Sequence, residues 1–120
     1  MALNRDQLRQ RQTPRNYQSV LLGDGSEVRV RSLTRMEQRA WRMATTGKDG
    51  EQDPKKAEFS NDVLLAMCIV DDDGNTAFTA DEALRGCFDS WDSGDTQAIL
   101  RAALDVCGIV RRSPEAAEKN

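Results

Sequence analysis

The sequence contains no histidine among its 120 residues, which excludes imidazole-based catalytic triads and histidine-ligated metal sites. Aromatic residues make up only 5% of the chain. The three cysteines, Cys68, Cys87 and Cys107, are an odd number and form no CxxC pair, so the sequence predicts neither a disulfide framework nor a cysteine-type metal site. We interpret these cysteines as small buried apolar residues.

Long hydrophobic runs are also missing. The longest, from Val63 to Val70, spans eight residues, far short of the ~20 that a membrane span requires. Residues Met1 to Gln12 lack the apolar segment of a secretory signal. We therefore expect a soluble intracellular domain that is not an enzyme and has no membrane partner.

An acidic turn is the only candidate metal site in the sequence. Asp71, Asp73 and Asn75 occupy the first, third and fifth positions of a calcium loop, and Glu82 occupies the twelfth. The sixth position requires glycine for its sharp bend, but Thr76 stands there. The pattern is therefore typical of a tight turn, and we expect no metal, no cofactor and no catalytic residue.

Charge is unevenly distributed along the chain. The net charge is −3, yet Met1 to Arg35 contains seven arginines against three acidic residues. The sequence predicts a flexible basic arm over residues 1–16, either solvated or in contact with an acidic protein. Nucleic acid is a disfavoured partner, because the pI is about 5.0 and aromatic residues do not alternate with the arginines.

A β-hairpin is predicted after the arm. Residues 17–22 and 27–31 flank the turn Gly23-Asp24-Gly25-Ser26, and Val28 and Val30 alternate with polar residues. Because a two-stranded hairpin is only marginally stable alone, its apolar face must pack on helices.

Three substantial helices are predicted beyond the hairpin. Capping boxes start the first helix at Thr34 and the third at Thr79, with an additional helix that ends at Gly108. The second runs from about Pro54 to Val70 as the central core helix, although the β-branched end, Ile69-Val70, could be extended. The apolar stripe of the first helix is Met36, Ala40, Met43 and Ala44 with Trp41, and that of the third is Ala80, Leu84, Cys87, Phe88 and Trp91.

The predicted fold is mainly α within the α+β class: a small N-terminal β-hairpin packed on a three- to four-helix domain. The domain covers residues 17–112, after the arm over 1–16. Residues 113–120 form a C-terminal tail or a short helix. The charged segment Lys48 to Lys56, with Gly50 and Pro54, is predicted to be a loop.

Five apolar residues are candidates for partner binding. Three consecutive apolar residues end the first strand, so one face of the hairpin stays uncovered unless a partner docks there. The tryptophans have core packing as their alternative, but a tryptophan at the edge of a core commonly anchors an interface. The candidates are Leu21, Leu22, Trp41, Phe78 and Trp91.

Three stretches together resemble the tail assembly chaperones of long-tailed (siphophage-type) bacteriophages and prophages. The first is the hairpin that leads into VRSLTRME at residues 30–37, and the second is LAMCIVDDDGNTAFT at residues 65–79. The third is an Ala/Leu helix that ends near Gly108-Ile109, followed by the tail PEAAEKN at residues 114–120. The resemblance covers about Val20 to Asn120, and VDDDGNTAFT is its most specific part.

This resemblance implies a non-enzymatic, largely helical protein that binds the tape measure protein and recruits tail tube subunits during tail assembly. Such a protein would act in the cytoplasm of the bacterial host, be missing from the mature virion and have the capacity to self-associate. Members of the family often occur also as a longer, frameshifted form. The alternative is a structural head–tail connector or tail completion protein of the virion. A small DNA-binding protein that uses the basic arm is a third interpretation.

Overall fold

The computed structural model describes residues 2–11, 14–46 and 54–109. The predicted tail at 113–120 and most of the predicted charged loop lie outside the described residues. Within them the chain forms six helices and three strands, which confirms the mainly helical α+β fold. In chain order these are α1 Arg5–Gln10, β1 Tyr17–Leu21, β2 Glu27–Arg31, α2 Arg35–Ala44, α3 Pro54–Ala57, α4 Ser60–Cys68, β3 Ile69–Val70, α5 Ala80–Leu84 and α6 Ser93–Val106.

The predicted hairpin is present and forms part of a larger sheet. Strands β1 and β2 pair antiparallel with Val20 opposite Val28, and Gly25 takes a φ of 91° in the turn. Strand β3 pairs antiparallel with β2, placing Ile69 opposite Val30. The second helix therefore ends at Cys68 and its β-branched end is extended, since the free edge of β2 supplies backbone hydrogen bonds there.

Helix α4 is the centre of the core, as predicted. Val63, Leu64, Ala66 and Cys68 have no exposed surface, and Leu65 is 2% exposed. The helix packs against α2, α5 and α6, so its part from Val63 to Cys68 needs no polar residues on any side. The prediction that this helix starts at Pro54 is wrong. Residues 54–57 form the separate helix α3, and a turn at residues 58–59 precedes α4, which starts at Ser60.

Helix α2 starts at its predicted capping box, in which Thr34 Oγ1 accepts from the Glu37 N–H and Glu37 accepts from the Thr34 N–H. The predicted apolar stripe is buried only in part, however. Met36 and Met43 are each 71% exposed, and Ala40 is exposed with them, so the prediction is wrong for these three residues. The other two members of the stripe, Trp41 and Ala44, contact the core.

The third predicted helix also starts at its capping box but is shorter than predicted. Helix α5 ends at Leu84 because Gly86 adopts a φ of 83°. The Cys87 and Gly86 N–H groups donate to the Glu82 and Ala83 carbonyls at 3.1 and 3.0 Å, which is the Schellman pattern. Residues 85–90 are turns.

Helix α6 ends as predicted. The Gly108 N–H donates to the Asp105 carbonyl at 3.1 Å, and the Ile109 N–H donates to the Leu104 carbonyl at 2.9 Å. Gly108 has a φ of 71°, which completes a second Schellman end. Helix α6 covers β1 and β2, so it supplies the cover that the apolar face of the hairpin requires.

The predicted arm contains the helix α1, whose capping residue Asn4 accepts from the Gln7 N–H at 2.9 Å. Leu8 on α1 is 58% exposed. The end of the arm contacts the domain through Arg15, whose guanidinium reaches Glu37 on α2. The division of the chain at residues 16 and 112 stays a prediction.

Candidate partner-binding surfaces

The hairpin end carries two of the predicted partner-binding residues. Leu21 is 69% exposed, whereas Leu22 is half-buried and packs against the core. The next residue, Gly23, donates its N–H to Asp95 Oδ1 at 3.2 Å. Asp95 lies in the first turn of α6, so the hairpin end is held against the start of that helix and Leu21 projects from a fixed position.

Phe78 and Trp91 belong to one aromatic cluster. Their ring centroids lie 5.8 Å apart, and Phe88 sits 4.9 Å from Phe78 and 5.0 Å from Trp91, all with edge-on geometry. Phe88 is buried, while Phe78 and Trp91 are half-buried. Trp91 precedes Asp92, the N-cap of α6, so this cluster and the hairpin end both adjoin the start of α6.

Trp41 lies apart from this group. Its indole Nε1–H donates to the Ser60 carbonyl at 2.8 Å and thereby connects α2 to the start of α4. Trp41 is half-buried and lines an open cavity of about 480 Å³ with Gln38, Arg42 and Ile109. The bond gives Trp41 a structural role, and its ring edge contributes to the cavity wall.

The exposed side of α2 carries apolar residues that were not among the five predicted partner-binding residues. Met36, Arg39, Ala40 and Met43 follow helical i, i+3, i+4, i+7 spacing and are all exposed. The spacing is visible in the sequence, but it is equally typical of a stripe that faces the core. Methionine side chains are adaptable and common at binding surfaces. Met36, Ala40 and Met43, here called the methionine face, are therefore a candidate docking surface.

A groove adjoins the cavity at Trp41, and Ile109 lines both of them. The volume of the groove is about 580 Å³, and its walls come from α6 and the start of α4. Leu100, Leu104 and Ile109 form the apolar part, and Arg101 and Asp105 place one charge of each sign beside it. Such a groove fits an apolar side chain with a polar edge better than it fits a charged small molecule.

One ion-pair network crosses the domain beneath α2. Arg15 Nη1 lies 2.6 Å from Glu37 Oε1, and Arg31 Nη2 lies 3.1 Å from Glu37 Oε2. The Arg15 hydrogen bond, with the Thr34 N–H and the Arg31 charge, lowers the pKa of Glu37 to about 2. Arg31 also donates from Nε to the Met67 carbonyl at 3.1 Å, so the network holds the arm, β2, α2 and α4 together.

The acidic turn uses its carboxylate for local structure. Asp71 Oδ1 accepts from the Asp73 N–H at 2.9 Å and from the Asn75 N–H at 3.0 Å, while Gly74 has a φ of 85°. Within residues 2–11, 14–46 and 54–109, no cluster of three or more metal-ligating side chains is present. No helix in the same ranges is long and apolar enough to cross a membrane.

A search of solved structures matches one titled "Structure of bacteriophage HK97 tail assembly chaperone". The superposition covers 77% of this chain and 85% of that one with a TM-score of 0.56, and the two sequences are 17% identical. No protein-family model matches the sequence. No curated protein matches it either. The resemblance noted in the sequence is thus confirmed at the level of the fold, which this chain shares with a bacteriophage tail assembly chaperone.

Proposed function

We propose that this protein is a phage tail assembly chaperone that binds the tape measure protein and recruits tail tube subunits during tail assembly. The observation that carries the proposal is the shared fold over 77% of the chain. The sequence resemblance over residues 20–120, which depends on residue patterns alone, points to the same family.

The methionine face is our candidate for the tape measure contact. Met36 and Met43 are seven residues apart on α2, so about 10 Å of helix separates them. An apolar seam on a partner helix repeats at the same two-turn spacing. The exposed residues Arg35, Arg39 and Arg42 lie beside this face and favour a partner helix with acidic flanks.

The hairpin end is our candidate for the second contact, with a tube subunit or another copy of the chain. Leu21 is exposed there, and strand β1 is the edge strand of the sheet. An exposed edge strand can pair with a strand of a partner. Leu22, Phe78 and Trp91 support this site from beneath, since all three pack against the core. Trp41 lies on the inner side of α2, away from the methionine face, and packs against the core.

Two separate weak sites suit a chaperone that coats a long helical protein. Linked weak contacts gain strength through effective concentration, and each one can still be released when the tube replaces the chaperone. In this proposal the protein acts in the host cytoplasm, catalyses no reaction and leaves before the virion is complete. Mass spectrometry of purified virions should therefore not detect it, whereas its presence there would favour a connector or tail completion protein.

Co-expression with the tape measure protein of the same phage tests the proposal. The wild-type chain should keep the tape measure protein soluble and co-purify with it. The double variant Met36→Gln/Met43→Gln should lose most of this co-purification, because glutamine retains helix propensity but removes the apolar contact. The variant Leu8→Gln is a matched control, since Leu8 is also an exposed apolar helix residue.

The co-purification results distinguish an error in the proposed function from an error in the assigned binding surface. If the wild-type chain fails to bind the tape measure protein, the proposed function is wrong. If the wild type and the double variant bind equally well, the function stands and the methionine face is the wrong surface. The variant Leu21→Ser should retain tape measure binding and lose the tube subunit or self-association.

A further inference from the structure

Two of the three cysteines meet in space although 39 positions separate them in sequence. Cys68 is the last residue of α4 and is fully buried. Cys107 is the C-cap of α6 and is half-buried. Their sulfur atoms lie 4.0 Å apart, which is sulfur–sulfur contact. The third thiol, Cys87, lies in the turn after α5.

The two thiols differ in their access to solvent. Cys107 lines an open cavity of about 230 Å³ between the end of the arm and the end of α6, together with Arg15 and Leu33. The cavity admits a small molecule to Cys107 from one side, and Cys68 stands behind Cys107 in the core. Cys107 is therefore the thiol that a reagent in solution meets first.

The pKa values of the pair are shifted in opposite directions. The hydrogen bond shared with Cys68 lowers the pKa of Cys107 to about 7, with help from the Leu33 backbone and against the effects of burial and Glu37. The same hydrogen bond, followed by burial, raises the pKa of Cys68. The thiolate is the form that reacts with oxidants, so the lowered pKa favours Cys107 over Cys68 as the reacting thiol.

We propose that Cys68 and Cys107 form a reversible intramolecular disulfide, in which Cys107 reacts first with a peroxide and Cys68 resolves the product. This site is independent of the proposed chaperone function. It also gives these two cysteines a role beyond that of small buried apolar residues.

The chemistry balances with one molecule of hydrogen peroxide. The Cys107 thiolate attacks one peroxide oxygen, the O–O bond breaks, and hydroxide leaves as Cys107 becomes a sulfenic acid. Cys68 then attacks the Cys107 sulfur, the S–S bond forms, and the S–O bond breaks as water leaves. Two thiols are oxidised, the peroxide is reduced, and two molecules of water are produced. A dithiol reductant reverses the reaction.

Disulfide formation requires the sulfurs to approach from 4.0 Å to about 2.0 Å. Cys107 can supply this movement, because it lies at the end of α6 and the chain reverses at Gly108. The new bond would connect the end of α4 to the end of α6 and close a loop that contains β3, α5 and α6. Closing a loop of this length should raise the melting temperature by roughly 10 °C.

The test uses the reduced full-length chain and hydrogen peroxide at a small molar excess. Free thiols should fall from three to one, the intact mass should decrease by two hydrogens, and dithiothreitol should reverse both changes. Peptide mapping of the oxidised wild type should recover a linked Cys68–Cys107 peptide. Because this measurement needs no variant, it holds even if a cysteine substitution impairs folding.

Variants assign the order of the steps. Cys68→Ala should stop at the Cys107 sulfenic acid, which dimedone traps, whereas Cys107→Ser should give no rapid reaction at all. Cys87→Ser should behave as the wild type. The proposal is overturned if peroxide yields intermolecular dimers, a disulfide to Cys87, or only sulfinic acid at Cys107 in the wild-type chain.

Discussion

Helices α2 and α4 pack against each other, yet most apolar residues of α4 are buried whereas the two methionines of α2 are exposed. From Val63 to Cys68 helix α4 is apolar on every side, and Val63 to Ala66 are buried in succession. Helix α2 buries no residue completely. Its inner side is formed by Glu37, Trp41 and Ala44, and its two methionines face outward.

The difference shows that helical periodicity identifies a face without saying what the face contacts. For the apolar part of α4 the contacts are not in doubt, since a helical segment that is apolar on every side must be surrounded by protein. On α2 either of two faces could pack against the domain. The face with Trp41 and Glu37 does so, because Trp41 donates a hydrogen bond to Ser60 and Glu37 forms ion pairs with two arginines. The methionine face is therefore left exposed.

The largest effect on stability should come from α4. Leu64→Ala should lower the free energy of unfolding by about 3 kcal/mol, because Leu64 is fully buried and its truncation leaves a cavity. Met36→Ala, on α2, is the matched large-to-small control and should change it by less than about 0.5 kcal/mol. Urea denaturation followed by circular dichroism measures both. Equal losses would contradict the assignment of Met36 to the surface.

The second effect concerns the polar inner side of α2. Glu37→Gln should lower the free energy of unfolding by about 1–2 kcal/mol at pH 7, allowing for partial solvent screening of the ion pairs.

Its pH dependence has a definite sign. The pKa of Glu37 is lowered from 4.5 to about 2 on folding, so the stabilisation is present above pH 4.5 and is lost as the pH falls toward 2. The difference in free energy of unfolding between wild type and Glu37→Gln should therefore decrease as the pH falls from 4.5 toward 2. Urea titrations at several pH values measure this difference. Glu27→Gln, at an exposed position of β2, is the control. A difference that does not change with pH would contradict the ion-pair assignment.

A third variant tests the link between the two helices. Trp41→Phe keeps an aromatic ring but removes the Nε1–H that donates to Ser60. The free energy of unfolding should fall by about 1 kcal/mol, since the Ser60 carbonyl loses a hydrogen bond in a half-buried place. Thermal denaturation against wild type provides the measurement. An unchanged melting temperature would mean that water replaces the indole without loss.

The smallest effect should come from the methionine face itself. Met36→Gln/Met43→Gln should leave the free energy of unfolding within about 0.5 kcal/mol of wild type, because both side chains are mostly in solvent already. The same variant is expected to lose tape measure binding. A clear loss of stability would instead place the methionines in a contact within the chain.

Much of the local structure could be predicted from short sequence signals. The capping boxes at Thr34 and Thr79 start their helices as predicted, and Gly108 ends α6. These signals succeed because the residues that form the hydrogen bonds are neighbours in sequence. Gly86 is a signal of the same kind, and the prediction that runs the third helix past it is wrong for that reason.

Partner binding by the five candidate residues stays a prediction. Leu21 is exposed, whereas Leu22, Trp41, Phe78 and Trp91 are half-buried and pack against the core. The exposure of Met36 and Met43 was missed, because it depends on which side of α2 meets α4. The contact of Cys68 with Cys107 was missed because the two residues lie on different helices.

The sequence by itself determined where α2 and α5 begin, where α6 ends and that α4 is central, because caps, turns and an apolar run act over a few residues. Only the tertiary structure decided that Ile69-Val70 completes the sheet, that the methionines face solvent and that two thiols touch. Each of these features depends on which helices and strands contact each other. Packing over the whole domain determines those contacts, and residues that are neighbours in the chain do not.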